Sequence, residues 1–267
     1  MWLVTTPAPS DTFFMPELSK FLAFDTSTDR MSVALTDGQR TWQHDGPGGA
    51  QASTTLIPAV MGLLAGAGLA LGDLDAVVFG RGPGSFTGLR TACAVAQGLA
   101  FGANHGAGIP VLPVDTLLAV AEEARLQAGG DVTHITALID ARMDEMYTQR
   151  FVVSGGVCTG LDECTLVRPE KFVPPAGDLL AGNVFTVYAG RLPDLSGFQT
   201  LIALPTATAL LRLAPALAAA GGFVDAALAL PLYVRDKVAL TTDERAQVKA
   251  DKALLTAAIT PTTPHPA

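Results

Sequence analysis

Gly80-Arg81-Gly82-Pro83-Gly84-Ser85-Phe86-Thr87-Gly88-Leu89-Arg90 is the stretch whose reading decides the fold. It joins an apolar run, Ala76-Val77-Val78-Phe79, to a run of helical character over residues 89–101. Four glycines and a proline within nine residues fix a compact strand-to-helix turn, because glycine admits positive φ and close backbone approach while proline presets its own φ. The loop fits none of the simple catalytic signatures. A phosphate-binding loop ends in Gly-Lys followed by Ser or Thr, and no Gly-Lys pair occurs in the chain. A dinucleotide fingerprint needs glycine where Ser85 or Thr87 stands, and a nucleophile elbow needs it at Pro83 and Thr87. Ser85 is therefore a poor nucleophile. Gly80, Gly82, Pro83, Gly84, Ser85, Phe86, Thr87 and Gly88 are read as a structural loop, ahead of a second reading in which its amides hold an anion at the helix start.

At 267 residues, 49% hydrophobic and 16% charged, the chain has enough apolar material for one large or two modest domains. A formal charge of −8 argues against gripping a phosphate backbone directly, so any nucleic acid is expected to be held by a partner. Cys93, Cys158 and Cys164 are odd in number and scattered, which suits reduced thiols rather than a disulfide framework. His44, His105, His134 and His265 show no metal-ligand spacing. Neither a metal nor a cofactor is expected. Apolar runs are broken by glycine, proline or charge, so no segment reads as a membrane span, and the residues before Phe21 lack the basic start and apolar centre of a secretory signal. A cytoplasmic protein is expected, with Met15 an alternative start to Met1.

Organisation follows from periodicity. Residues 21–25 read as a buried strand, 30–36 as a second, and 40–44 as a third after the Asp37-Gly38 turn. Residues 54–67 form a helix greasy over more than half its circumference, through Leu56, Ile57, Val60, Met61, Leu63 and Leu64. In the helix 89–101, Ala92, Ala96 and Ala100 recur every fourth residue and leave one stripe narrow enough for another helix to approach. Burial of such helices by their own domain is the plainer alternative. A second unit begins at His134, where Ile135 to Ile139 is again an apolar strand ending in an aspartate, Asp140, as the first ends in Asp25. Strands at 145–153 and 179–183 and an alanine-leucine helix at 207–220 follow. The boundaries expected are an N-terminal extension at 1–20, a first subdomain at 21–130, a smaller second one at 131–240 and a disordered tail at 241–267.

A repeated β-β-β-α-β-α unit with aspartate after each first strand resembles the actin-like, sugar-kinase and Hsp70 ATPase superfamily. This implies an α/β, ribonuclease H-like duplicated fold with a reduced second half. Three stretches narrow the resemblance: Leu22-Ala23-Phe24-Asp25-Thr26-Ser27-Thr28, the glycine loop with Ala96-Gln97-Gly98-Leu99-Ala100, and Ile139-Asp140-Ala141-Arg142 with Glu145 and Tyr147. Together they resemble the TsaB family over roughly residues 21–238, closing on Pro231-Leu232-Tyr233-Val234-Arg235-Asp236-Lys237. The resemblance implies a non-catalytic subunit in the synthesis of threonylcarbamoyladenosine beside the tRNA anticodon. Its implied partner is a TsaD-type catalytic subunit, with a TsaE-type ATPase reached through the complex, tRNA touched only indirectly, and a homodimer when alone.

TsaD resembles this chain in fold and carries a His-x-x-x-His metal pair. The matching stretch here, Pro113-Val114-Asp115-Thr116-Leu117-Leu118-Ala119-Val120, has no histidine. Loss of that pair removes the Lewis acid that such an acyl transfer needs. The interface implied by the resemblance comprises Leu56, Ile57, Val60, Met61, Leu64, Arg90, Ala92, Cys93, Ala96, Gln97 and Ala100. Asp25 and Asp140 are expected to cap turns, since the turns that follow them have no phosphate-wrapping glycine. Arg81, Arg90 and Arg142 are expected in surface or intrachain pairs. A small-molecule kinase of the same superfamily, with Asp25 or Asp140 on its metal, is the rival reading.

Overall fold

The computed structural model describes residues 19–130 and 132–235. Strand β1 (Phe21–Asp25) is buried along its whole length, which explains its apolar run Phe21-Leu22-Ala23-Phe24. Leu22 and Phe24 face one layer of helices, while Phe21 and Ala23 face another. Beside it lie β2 (Arg30–Thr36) and β3 (Thr41–Pro47), paired antiparallel. Helix α1 (Ala52–Ala67) follows, then β4 (Ala76–Gly82), which returns parallel to β1. Helix α2 (Phe86–Gly102) leads to the edge strand β5 (Val111–Asp115) and helix α3 (Thr116–Ala128). The first sheet thus runs β3-β2-β1-β4-β5.

The second sheet is built from β6 (His134–Asp140), β7 (Met146–Ser154), β8 (Val157–Gly160), β9 (Thr165–Val167), β10 (Leu179–Gly182) and β11 (Thr200–Ile202). Its order is β11-β10-β6-β7-β8, with β9 also pairing β7. Helix α4 (Val184–Val187) follows β10, and α5 (Ala207–Ala219) follows β11. The fold class is α/β, as the sequence pattern leads one to expect. Described residues up to Leu232 belong to one compact unit, and a second unit starts at Tyr233. The extension at 1–18 and the tail from 241 lie outside the described residues.

Packing explains where the apolar sequence goes. One face of the first sheet, through Leu22, Phe24, Val33, Leu35, Val77 and Phe79, is covered by α1 and α2. Its other face, through Phe21, Ala23, Ala34 and Val78, is covered by α5 and by Ala119 of α3. A helix that follows the second sheet in sequence therefore completes the core of the first.

Three expectations need correction. The glycine-rich stretch is loop only at residues 83–85, because β4 continues through Gly82 and α2 starts at Phe86. Pairing to β5 extends β4, with a register irregularity between Gly80 and Gly82 absorbing the bend. Strand β5 was itself hidden by Pro113, which an edge strand tolerates. Second, Leu56, Val60, Leu64, Ala92, Cys93, Ala96 and Ala100 are buried in the core of the first sheet. They are not an external interface: the every-fourth-residue stripe of α2 is what lets that helix sit close to the sheet and to α1. Third, the helical span Gly49–Ala67 is long and apolar enough to cross a membrane by length and composition. Its inner stripe instead packs on the sheet, which leaves the outer apolar residues as a surplus.

The two faces of α2 respond differently to added volume. Ala96→Leu forces extra atoms into a site with no exposure and is expected to destabilise by about 1–3 kcal/mol. Ala94→Leu lies on the exposed face and should stay within about 0.5 kcal/mol of wild type. Thermal or denaturant unfolding of the two variants checks this; equal losses would contradict the assigned faces.

Candidate partner interface

The placement of α2 begins at the turn after β1. Thr26 Oγ1 donates to the Gly88 carbonyl at 2.7 Å, and Ser85 N donates to the Ser27 carbonyl at 2.7 Å. The Thr26 carbonyl lies directly against Gly88, where any Cβ would collide with it. Gly88 is thus required by close approach of two backbones.

Asp25 organises this turn. Its Oδ1 accepts from Ser27 N at 2.8 Å and Ser27 Oγ at 2.6 Å. Its Oδ2 is buried, has no hydrogen-bond partner, and occupies the space that a side chain at position 80 would need. Burial pushes the carboxyl from an ordinary 3.8 up to about 6, against the opposing bonds from Ser27. Asp140 caps the corresponding turn of the second sheet: Oδ1 accepts from Arg142 N at 2.8 Å and from the Tyr188 hydroxyl at 2.6 Å. Both aspartates bond nearby backbone amides, as their turns led one to expect.

The three arginines also find partners within the chain. Arg81 pairs with Asp115, and Arg142 pairs with Asp29 and, at 3.3 Å, with Asp140. The Arg90 guanidinium stacks on the Phe86 ring at 3.8 Å. Among the described residues, no three His, Cys, Asp or Glu side chains converge as a metal site would need. A cavity of about 950 Å³ opens beside α5, bordered by Asp37, Gln39, Thr208 and Arg212. The Arg212 charge there is already met by Glu122 and Glu123.

The outer face of α1 and α2 carries exposed apolar side chains. Ile57 and Met61 are 48% and 50% exposed on α1, and Phe101 is 53% exposed on α2. Arg90, Ala94 and Gly98 are exposed on the same helix. Of the eleven interface residues named from sequence, Ile57, Met61 and Arg90 lie on the surface, and Gln97 is half-buried. The other seven are in the core. Ala94, Gly98 and Phe101, not among the eleven, are also exposed, all off the buried four-residue stripe of α2.

The buried Asp25 carboxyl makes stability depend on pH. Its folded pKa is raised, so between about pH 4 and 6 the native state binds more protons than the unfolded chain. Stability therefore falls as pH rises through that window. The rise from 3.8 to about 6 corresponds to roughly 3 kcal/mol. Asp25→Asn keeps an acceptor for Ser27 and is expected to lose this slope, as read by denaturant unfolding at several pH values. An unchanged slope would assign it to another group.

Comparison with known proteins matches this architecture. The family model described as TsaD, tRNA N6-adenosine threonylcarbamoyltransferase, matches residues 47–258. The tRNA threonylcarbamoyladenosine biosynthesis protein TsaB of Escherichia coli K12 is 34% identical over 229 residues, covering 82% of this chain and 96% of that protein. TsaB of Haemophilus influenzae is 43% identical over 134 residues, covering 49% and 53%. The structure of YeaZ from Pseudomonas aeruginosa superposes with a TM-score of 0.71 at 38% identity, covering 81% of this chain and all of that one. With 96% of a TsaB protein matched and a YeaZ structure superposing over 81% of the chain, the chain belongs to the TsaB family.

Proposed function

We propose that this chain acts in threonylcarbamoyladenosine synthesis on tRNA as the non-catalytic partner of a TsaD-type subunit, docking through the outer face of α1 and α2. The observation that carries this is the apolar surplus of those helices. Their inner stripes already satisfy the core, yet Ile57, Met61 and Phe101 remain about half exposed. Burying such half-exposed side chains contributes on the order of 1 kcal/mol each, and exposed apolar surface is what partners cover.

Two further points support the reading. The stretch 113–120 contributes β5 and the start of α3 without a histidine, so it supplies no imidazole for a metal. The two sheets share one order of pairing, a three-strand meander whose first strand is extended by two parallel strands. We read them as two copies of one unit, at 21–130 and 131–240. The second is reduced: the four-residue α4 stands where α2 stands in the first, and the 3-10 turn Pro169–Lys171 replaces α1. Cytoplasmic location, indirect tRNA contact, a TsaE-type ATPase reached through the complex and self-association of the free chain accompany this reading. The kinase alternative loses ground because Asp25 and Asp140 both bond the backbone of their own turns.

Light scattering on size exclusion, with the TsaD of the same cell, tests the proposal. Wild type should form a complex with one copy of each subunit. Ile57→Asp combined with Met61→Asp should weaken binding at least thirtyfold, the loss of about 2 kcal/mol typical of a hot spot, while the chain stays folded. Wild-type binding by that folded double variant would overturn the interface.

A further inference from the structure

Residues 224–232 form a strap that runs across the first sheet's helical face and is pinned at three points. Val224 exchanges both backbone hydrogen bonds with Val111, at 3.0 and 2.8 Å. The Ala229 carbonyl accepts from Gln97 Nε2 at 2.9 Å and from Cys93 Sγ at 3.1 Å, both on α2. Leu232 N donates to the Arg81 carbonyl at 2.7 Å. Between these pins Asp225 caps the turn Ala226–Leu228 by accepting from Ala227 N at 2.8 Å. Ala226 and Ala229 point into the α1–α2 core. Leu228 and Leu230 point outward, 68% and 65% exposed, more than Ile57, Met61 or Phe101.

We infer that this strap is the third element of the docking face, with Leu228 and Leu230 as contacts for the same partner that covers α1 and α2. This rests on the docking reading above. Two observations favour that occupant. The strap is continuous with the face, because its anchor residues Cys93 and Gln97 border the exposed stripe of α2 that holds Arg90, Ala94 and Phe101. The helix pair is also too small alone: two helices about 24 Å long and about 10 Å apart offer roughly 500 Å², against about 800 Å² per partner in a stable interface. The strap extends the face toward that figure. Because it is pinned on both sides of the leucines, they are presented with little left to order on binding.

Titration calorimetry of the full chain against the TsaD-type subunit tests this, with Leu228→Asp/Leu230→Asp beside Ile57→Asp/Met61→Asp. The strap variant should keep the wild-type unfolding midpoint and bind at least tenfold more weakly. Wild-type affinity for the strap variant, with binding lost in the helix variant, would overturn the strap and leave the docking reading standing. Wild-type affinity for both would overturn both. Should the aspartates disturb folding, Leu228→Ser/Leu230→Ser and amide hydrogen exchange of wild type replace them. Slower exchange at 226–231 on adding the partner is then expected, and unchanged exchange there overturns the inference.

Discussion

The contact between the turn after β1 and the first turn of α2 governs the arrangement of this protein. Two polypeptide backbones meet there without an intervening side chain, through Thr26 against Gly88 and Ser27 against Ser85. Such an approach is open only to glycine. It sets the angle at which α2 leaves the sheet, hence how Ala92, Ala96 and Ala100 seat on the strands and which residues remain outside. Small residues follow from it: a larger stripe would lift α2 away from the sheet and break the bonds from the Thr26 hydroxyl and the Ser85 amide.

Asp25 shows what such close packing tolerates. One carboxylate oxygen caps the turn, while the other is buried without a partner against Gly80. A buried ionised oxygen is unfavourable, yet the cap it accompanies shapes the turn that holds α2. Its satisfied oxygen serves the chain's own backbone, and Arg81 and Arg142 are engaged with Asp115, Asp29 and Asp140.

The two faces of the helix pair therefore differ. Its inner stripes complete the core, and its outer residues leave an apolar surface that the fold does not use. Segments distant in sequence hold this arrangement in place. Helix α5 backs the first sheet from behind, and the strap at 224–232 ties α2 to the ends of β4 and β5. Elements from across the chain thus brace the sheet beneath α1 and α2.

Sequence alone determined the elements whose pattern is local. The buried strand at 21–25, the meander, the glycine-rich link into a helix and the matching strand and aspartate at 135–140 were legible, because apolar period and glycine or proline punctuation act within a few residues. Family membership was legible for the same reason, since its motifs are contiguous. Strand β5 was not, because Pro113 disguises it and only pairing with β4 makes it a strand. Which helix residues are buried was not legible, because Val60 and Met61 are equally apolar neighbours. Which of them turns inward is decided by where the sheet lies, and the strap's leucines gain meaning only once Ala229 is fixed on α2. Direction toward the core is a property of long-range packing, and only the tertiary structure decided it.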